Sequence, residues 1–172
     1  MRWRSVGAFA FALTATMSAD ALEFSAGVGA GATSVGTRPL FAVSPHAGVS
    51  VRTEGGFLLA SHATLGILPA VGRHGVGVYG HASVALGYAW KSGRFSIGPS
   101  LAIYSVPACG REWCDRLSGL APGLGGRLDY YLVGPFGISV STNVDWLTGS
   151  TVLPAGVAAT VLAGPLLRWS RE

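Results

Sequence analysis

From Phe136 to Trp146 the chain changes character at every residue. Phe136, Ile138, Val140, Thr142, Val144 and Trp146 occupy the even positions, and Gly137, Ser139, Ser141, Asn143 and Asp145 the odd ones. A period of two places these sets on opposite faces of an extended strand, and no helix can separate them that way. Residues 76–90 repeat the pattern: Val76, Val78, Ala82, Val84, Leu86, Tyr88 and Trp90 alternate with Gly77, Tyr79, His81, Ser83, Ala85, Gly87 and Ala89.

Weaker versions of the pattern occupy residues 22–33, 46–53, 57–68, 95–106, 120–133 and 153–169, which makes eight predicted strands. Their lengths suit tilted strands crossing a bilayer, which need roughly 9–11 residues. The best helix candidate, residues 152–167, contains Pro154, Gly156, Gly164 and Pro165 and is excluded as a spanning helix.

Composition narrows the class. Of 172 residues only 12% are charged, 49% are apolar and 26 are glycine. Such low charge excludes disorder and disfavours a conventional soluble enzyme. The glycines lack the three-residue period of collagen, and there are no coiled-coil heptads.

The first 21 residues read as a leader. Met1-Arg2-Trp3-Arg4 is basic, residues 6–15 are apolar, and Ala19-Asp20-Ala21 is a small-x-small cleavage site. The apolar run is too short for a membrane helix. Without Arg2, Arg4 and Asp20 the net charge falls from +4 to +3, too little and too scattered to argue for nucleic acid. The two cysteines, Cys109 and Cys114, read as one local disulfide closing a loop tip in an oxidising compartment. A metal site would need a second ligand pair, which the chain lacks.

Connections add a second signal. Residues 52–56, 90–94 and 133–135 are short turns; residues 34–45, 68–75, 107–119 and 147–152 read as longer links. Short turns on one rim and long loops on the other characterise outer-membrane barrels. An even strand number then puts both termini on the short-turn, periplasmic side. Phe24, Phe57, Tyr88, Trp90, Phe95, Tyr130, Phe136 and Trp169 all fall on the apolar face near short turns or termini. Around a barrel they form one ring at the depth where amphipathic aromatics settle at a membrane interface. Trp146 would be a sparse counterpart at the outer interface.

The mature chain, residues 22–172, therefore resembles the small eight-stranded outer-membrane barrels of the OmpA, OmpX and OmpW type. The fold class implied is an all-β, antiparallel, up-and-down transmembrane barrel. Gly164-Pro165-Leu166-Leu167-Arg168-Trp169 looks like the C-terminal signal that the barrel assembly machinery reads in such proteins. It departs in continuing for three more residues and in having Leu162 where a polar residue is usual. The resemblance implies outer-membrane lipid and lipopolysaccharide as surroundings, a monomer, and no cofactor.

Eight strands enclose a space that side chains can fill. The inward polar set is Glu23, His46, Arg52, His62, Tyr79, His81, Arg127, Asp129, Tyr131, Asn143, Asp145 and Arg168. Closure of the first strand on the last would let Glu23 bridge Arg52 and Arg168. Ser139, Ser141 and Asn143 are the expected cross-strand partners of Arg127, Asp129 and Tyr131. The leading expectation is a polar plug that satisfies itself, in a protein with a structural or surface-interaction role and no catalysis.

The first alternative is a narrow channel or transporter for a small solute. The second is a lipid-modifying enzyme. His81-Ala82-Ser83 is similar to the His-x-Ser pair of outer-membrane lipid A deacylases, but residues 95–105 offer no carboxylate on the next strand. His62-Ala63-Thr64 has the same spacing, as lumen filling would. The loops carry Arg38, Arg73, His74, Arg111 and Arg116, with Trp113 at the cysteine loop, and suit a ligand-binding or adhesive reading. A soluble barrel with the apolar face turned inward is the remaining alternative. No nucleotide-type glycine loop, zinc spacing or paired carboxylates occur.

Overall fold

The computed structural model describes residues 21–35, 38–68, 76–109, 114–147 and 156–171. They form eight strands: β1 (Ala21–Val35), β2 (Arg38–Arg52), β3 (Phe57–Leu68), β4 (Gly77–Trp90), β5 (Gly93–Cys109), β6 (Cys114–Val133), β7 (Phe136–Leu147) and β8 (Gly156–Arg171). Each pairs antiparallel with its sequence neighbours, and β1 pairs with β8, so the sheet closes into a barrel. Closure leaves no free edge along the paired region, which is how an all-strand chain satisfies its backbone in lipid. The expected leader lies outside the described residues.

The alternating residues face as their parity requires. Phe24, Phe57, Tyr88, Trp90, Phe95, Tyr130, Phe136 and Trp169 are all exposed on the outer wall. Register gathers them: Phe57 lies opposite Tyr88, Tyr88 opposite Phe95, and Phe24 opposite Trp169. Above this ring the wall continues in aliphatic residues such as Leu86, Ile97, Leu101, Ile103, Leu124 and Val144. Phe41 and Trp146 stand exposed toward the other rim. An apolar face of this extent surrounds the whole barrel and is far larger than soluble monomers expose. The inverted, inward-facing soluble alternative is thereby overturned.

Two of the four links expected to be long consist mostly of paired strand among the described residues. Residues 34–45 are not a loop, because β1 and β2 pair as far as Val35 opposite Arg38. Residues 107–119 likewise belong to a hairpin that pairs up to Cys109 opposite Cys114. The side chains of Cys109 and Cys114, and of Arg38 and Arg116, are outside those described, as are residues 69–75, 110–113 and 148–155, with Arg73, His74, Arg111 and Trp113 among them.

Proline marks the places where ladders lapse. The β2–β3 pairing skips Ser44-Pro45, β4–β5 skips Gly98-Pro99, and β1–β8 skips Gly164-Pro165. Proline has no N–H to donate, so it is tolerated where a ladder bond is already absent. In each case the other edge of the same strand stays paired: Pro45 with Val28, Pro99 with Leu124, Pro165 with Ile138. A Cβ at Gly98 would collide with the Val84 carbonyl oxygen, and one at Gly164 with that of Val28. Glycine therefore permits the close approach that the lapse creates.

Candidate functional site

The lumen is narrow, and glycine is how it takes large side chains. Tyr79 lies opposite Gly66, His62 opposite Gly48, His46 opposite Gly27, Asn143 opposite Gly125, Asp145 opposite Gly123 and Tyr131 opposite Gly137. In each pair a Cβ on the glycine would run into the partner's side chain or its surroundings. Each bulky inward group thus lies over a bare patch of neighbouring backbone. The high glycine content has a specific cause, which is room inside an eight-strand cylinder.

At the end nearest the termini the lumen is filled by ions. Asp129 is fully buried and accepts from Arg94 Nε at 2.7 Å and Arg127 Nε at 2.8 Å. Arg94 also donates from Nη1 to Ser50 Oγ at 2.7 Å and to Glu23 Oε2 at 3.3 Å. Glu23 Oε1 lies 3.7 Å from both Arg52 Nε and Arg168 Nη1. Arg168 stacks over the Tyr131 ring at 3.9 Å. The two most buried guanidiniums, Arg94 and Arg127, match the two carboxylates of this layer, Glu23 and Asp129, in charge. That balance is what allows ions so far from water.

Arg94 is the principal residue that sequence reasoning missed. It stands at the end of the predicted turn at residues 90–94. Parity held the signal: Phe95 faces outward, so Arg94, Ser96 and Ser100 must face inward. The same parity puts Tyr104 inside. The register puts the expected cross-strand partners beside β6, and Ser139 bonds to Asp129, but further partners come from elsewhere. Ser141 and Ser139 stand opposite Arg127 and Asp129 in register, but Arg127 bonds to Asp129 on its own strand and the second arginine arrives from β5.

Midway, His62, His81, Ser83, Ser96, Arg127 and Asn143 line a cavity of about 20 Å³, room for one or two waters. Ser96 Oγ and His62 Nε2 stand 3.5 Å apart. Beyond the cavity, Tyr104 donates to Asp145 Oδ2 at 2.5 Å, and His81 Nε2 lies 3.3 Å from the same oxygen. Tyr79 and Tyr104 flank the His81 ring edge-on. Leu68, Leu162, Ala42 and Ala158 pack with these tyrosines into a buried apolar layer, and Thr33 meets Thr160 across β1 and β8 at 2.7 Å. An ionic layer and an apolar layer thus stand on either side of the small cavity.

This geometry bears on the alternatives. Both layers consist of buried side chains in contact with one another. His81 does face a carboxylate, but it comes from β7 across the lumen and not from the adjacent strand. His81 and Ser83 point inward, and the residues that meet the outer surface beside them are Ala82 and Val84. A lipid on the outer wall cannot reach the pair. Among the described residues, no three His, Cys, Asp or Glu converge as a metal would need.

No family model matches the chain, and no curated protein matches it in sequence. Solved structures do match. Neisserial surface protein A aligns with a TM-score of 0.55 at 12% identity, covering 87% of this chain and 97% of that one. The N-terminal β-barrel domain of Pseudomonas aeruginosa OprF gives 0.51 at 15%, covering 88% and 98%. Ail, the attachment invasion locus protein of Yersinia pestis, solved with the heparin analogue sucrose octasulfate, gives 0.55 at 12%, covering 87% and 98%. With eight antiparallel strands in sequence order and a closed sheet, the chain has the fold of the small eight-stranded outer-membrane β-barrels.

Proposed function

We propose that this chain is a monomeric outer-membrane barrel with a structural or surface-interaction role, a side-chain-filled lumen and no catalysis. The single observation that carries this reading is the combination of faces on one barrel wall. A continuous apolar belt ends in an aromatic ring outside, and paired ions and packed tyrosines fill the inside. A channel needs an open lumen, and a lipid-modifying enzyme needs its reactive groups on the lipid face. Two of the similar structures are, by name, a surface protein and an attachment protein, which favours a surface-facing role.

In this reading residues 1–21 are the leader, and both termini are periplasmic. The rim where Val35 pairs with Arg38 and Cys109 with Cys114 faces outward among lipopolysaccharide headgroups. A disulfide between Cys109 and Cys114, which stand opposite each other in the backbone register, belongs to the same reading. Leu167 and Trp169 face the lipid side of β8, as a signal read by the assembly machinery during insertion would present them. The test is topological. An epitope inserted within residues 69–75 should bind antibody on intact cells, and one inserted after Lys91 should bind only after permeabilisation. The opposite pattern would overturn the orientation, and staining of neither after permeabilisation would overturn membrane exposure.

A further inference from the structure

At the terminus end of the barrel, the β2–β3 and β4–β5 turns enclose an open cleft of about 390 Å³. Its polar walls are Arg52, Glu54 and Lys91, and its outer lip is made by Tyr88 and Trp90. Both rings are exposed and belong to the aromatic ring of the wall. The cleft is held in shape by backbone bonds. Gly56 N donates to the Thr53 carbonyl at 2.9 Å, and Ala89 N donates to the Gly56 carbonyl at 2.7 Å, tying one turn to the other. Gly56 has a φ of 83°, and a Cβ there would press on the Tyr88 ring. The turn is therefore built around a glycine that keeps the cleft open.

The charges are the informative part. Glu54 and Lys91 line the same cleft, yet no ion pair joins them or ties either to another described residue. Arg52 is partly exposed and lies only 3.7 Å from Glu23. Two cations and one carboxylate, separated within one cleft, complement a ligand carrying both an anion and a cation. The aromatic lip places that ligand at headgroup depth.

We propose that this cleft binds the headgroup of a phosphatidylethanolamine molecule. Its phosphate sits between Lys91 and Arg52, its primary ammonium faces Glu54, and its acyl chains run along Tyr88 and Trp90. A purely anionic headgroup would meet Glu54 unfavourably, and a quaternary ammonium has no N–H to give it. Which leaflet supplies the lipid rests on the orientation proposed above, whereas the chemistry of the cleft does not.

The test uses the whole barrel in nanodiscs containing phosphatidylethanolamine, phosphatidylglycerol and phosphatidylcholine with identical chains in equal amounts. Both leaflets then carry the same lipids, so a failure of the orientation does not affect the result. Native mass spectrometry should show one phosphatidylethanolamine retained on stripping. Lys91→Gln should reduce that retention about tenfold, the loss of one charge-assisted contact. Glu54→Gln should abolish the preference over phosphatidylcholine while keeping a bound lipid. Unchanged heat-modifiable migration of both variants verifies the fold. Equal retention of all three lipids by the unaltered protein, or retention indifferent to Lys91→Gln, would overturn the proposal. Displacement by soluble phosphorylethanolamine at equal concentration would assign the site to a free phosphoester and overturn the lipid.

Discussion

Arg94 reaches from β5 across the lumen to Glu23 on β1, placing Nη1 3.3 Å from Oε2. The same guanidinium holds Asp129 through Nε at 2.7 Å. One side chain thus joins the carboxylate of the first strand to that of the sixth, while Glu23 also faces Arg168 of the last. The point where the cylinder closes is also the point where its charges converge.

Removing Arg94 leaves two buried carboxylates short of a partner. Arg94→Leu should destabilise the folded barrel by about 3–5 kcal/mol, the range for breaking a buried pair from one side. Arg52, partly exposed at the rim, should cost under about 1 kcal/mol when changed to Gln. Urea unfolding in lipid vesicles, followed by tryptophan fluorescence, compares the two. Equal effects would mean that the ionic layer does not hold the fold.

Parity in the sequence carried much of the architecture. The strict alternation of residues 136–146 and 76–90 marks two strands outright, and weaker alternation marks the other six. What parity could not show is where a ladder ends. Residues 34–45 read as a link because Ser34, Gly36, Thr37, Pro39 and Pro45 are turn-type residues, although β1 and β2 pair as far as Val35 opposite Arg38. Arg94 was lost for a related reason: it follows a turn glycine, and a charged residue beside a turn looks solvated. Asp145 was visible as an inward carboxylate, but its approach to His81 crosses the lumen, and strand order alone does not give that distance. The glycine pairs were illegible without register, since Gly66 and Tyr79 are thirteen positions apart.

Gly66→Ala tests the glycine rule. Its Cβ would enter the space of the Tyr79 ring, so the variant should lose roughly 1–3 kcal/mol through overpacking. Tyr79→Phe keeps the ring and should not rescue it. Tyr79→Ala should, giving a coupling energy in the double-mutant cycle. Additive effects would show that the two positions do not share space.

The outer wall distinguishes a membrane protein from a soluble one residue by residue. Leu101→Arg lies amid the aliphatic band and should cost about 2–4 kcal/mol of stability in a bilayer. Trp90→Arg, in the aromatic ring, should cost about 0–1 kcal/mol. Vesicle unfolding measures both. A neutral Leu101→Arg would mean that this face meets water.

The filled lumen makes an electrical prediction. The protein reconstituted in planar bilayers should show no stepwise conductance at moderate voltage. Regular unitary steps would mean that the ionic and apolar layers open together and would favour the channel reading.

Heat-modifiable gel migration of the mature protein, made beside a membrane fractionation, tests the central claim most directly. A membrane-spanning barrel should pellet with outer membrane, resist SDS when unheated and shift in mobility on boiling. A soluble periplasmic species with one mobility at both temperatures would contradict it.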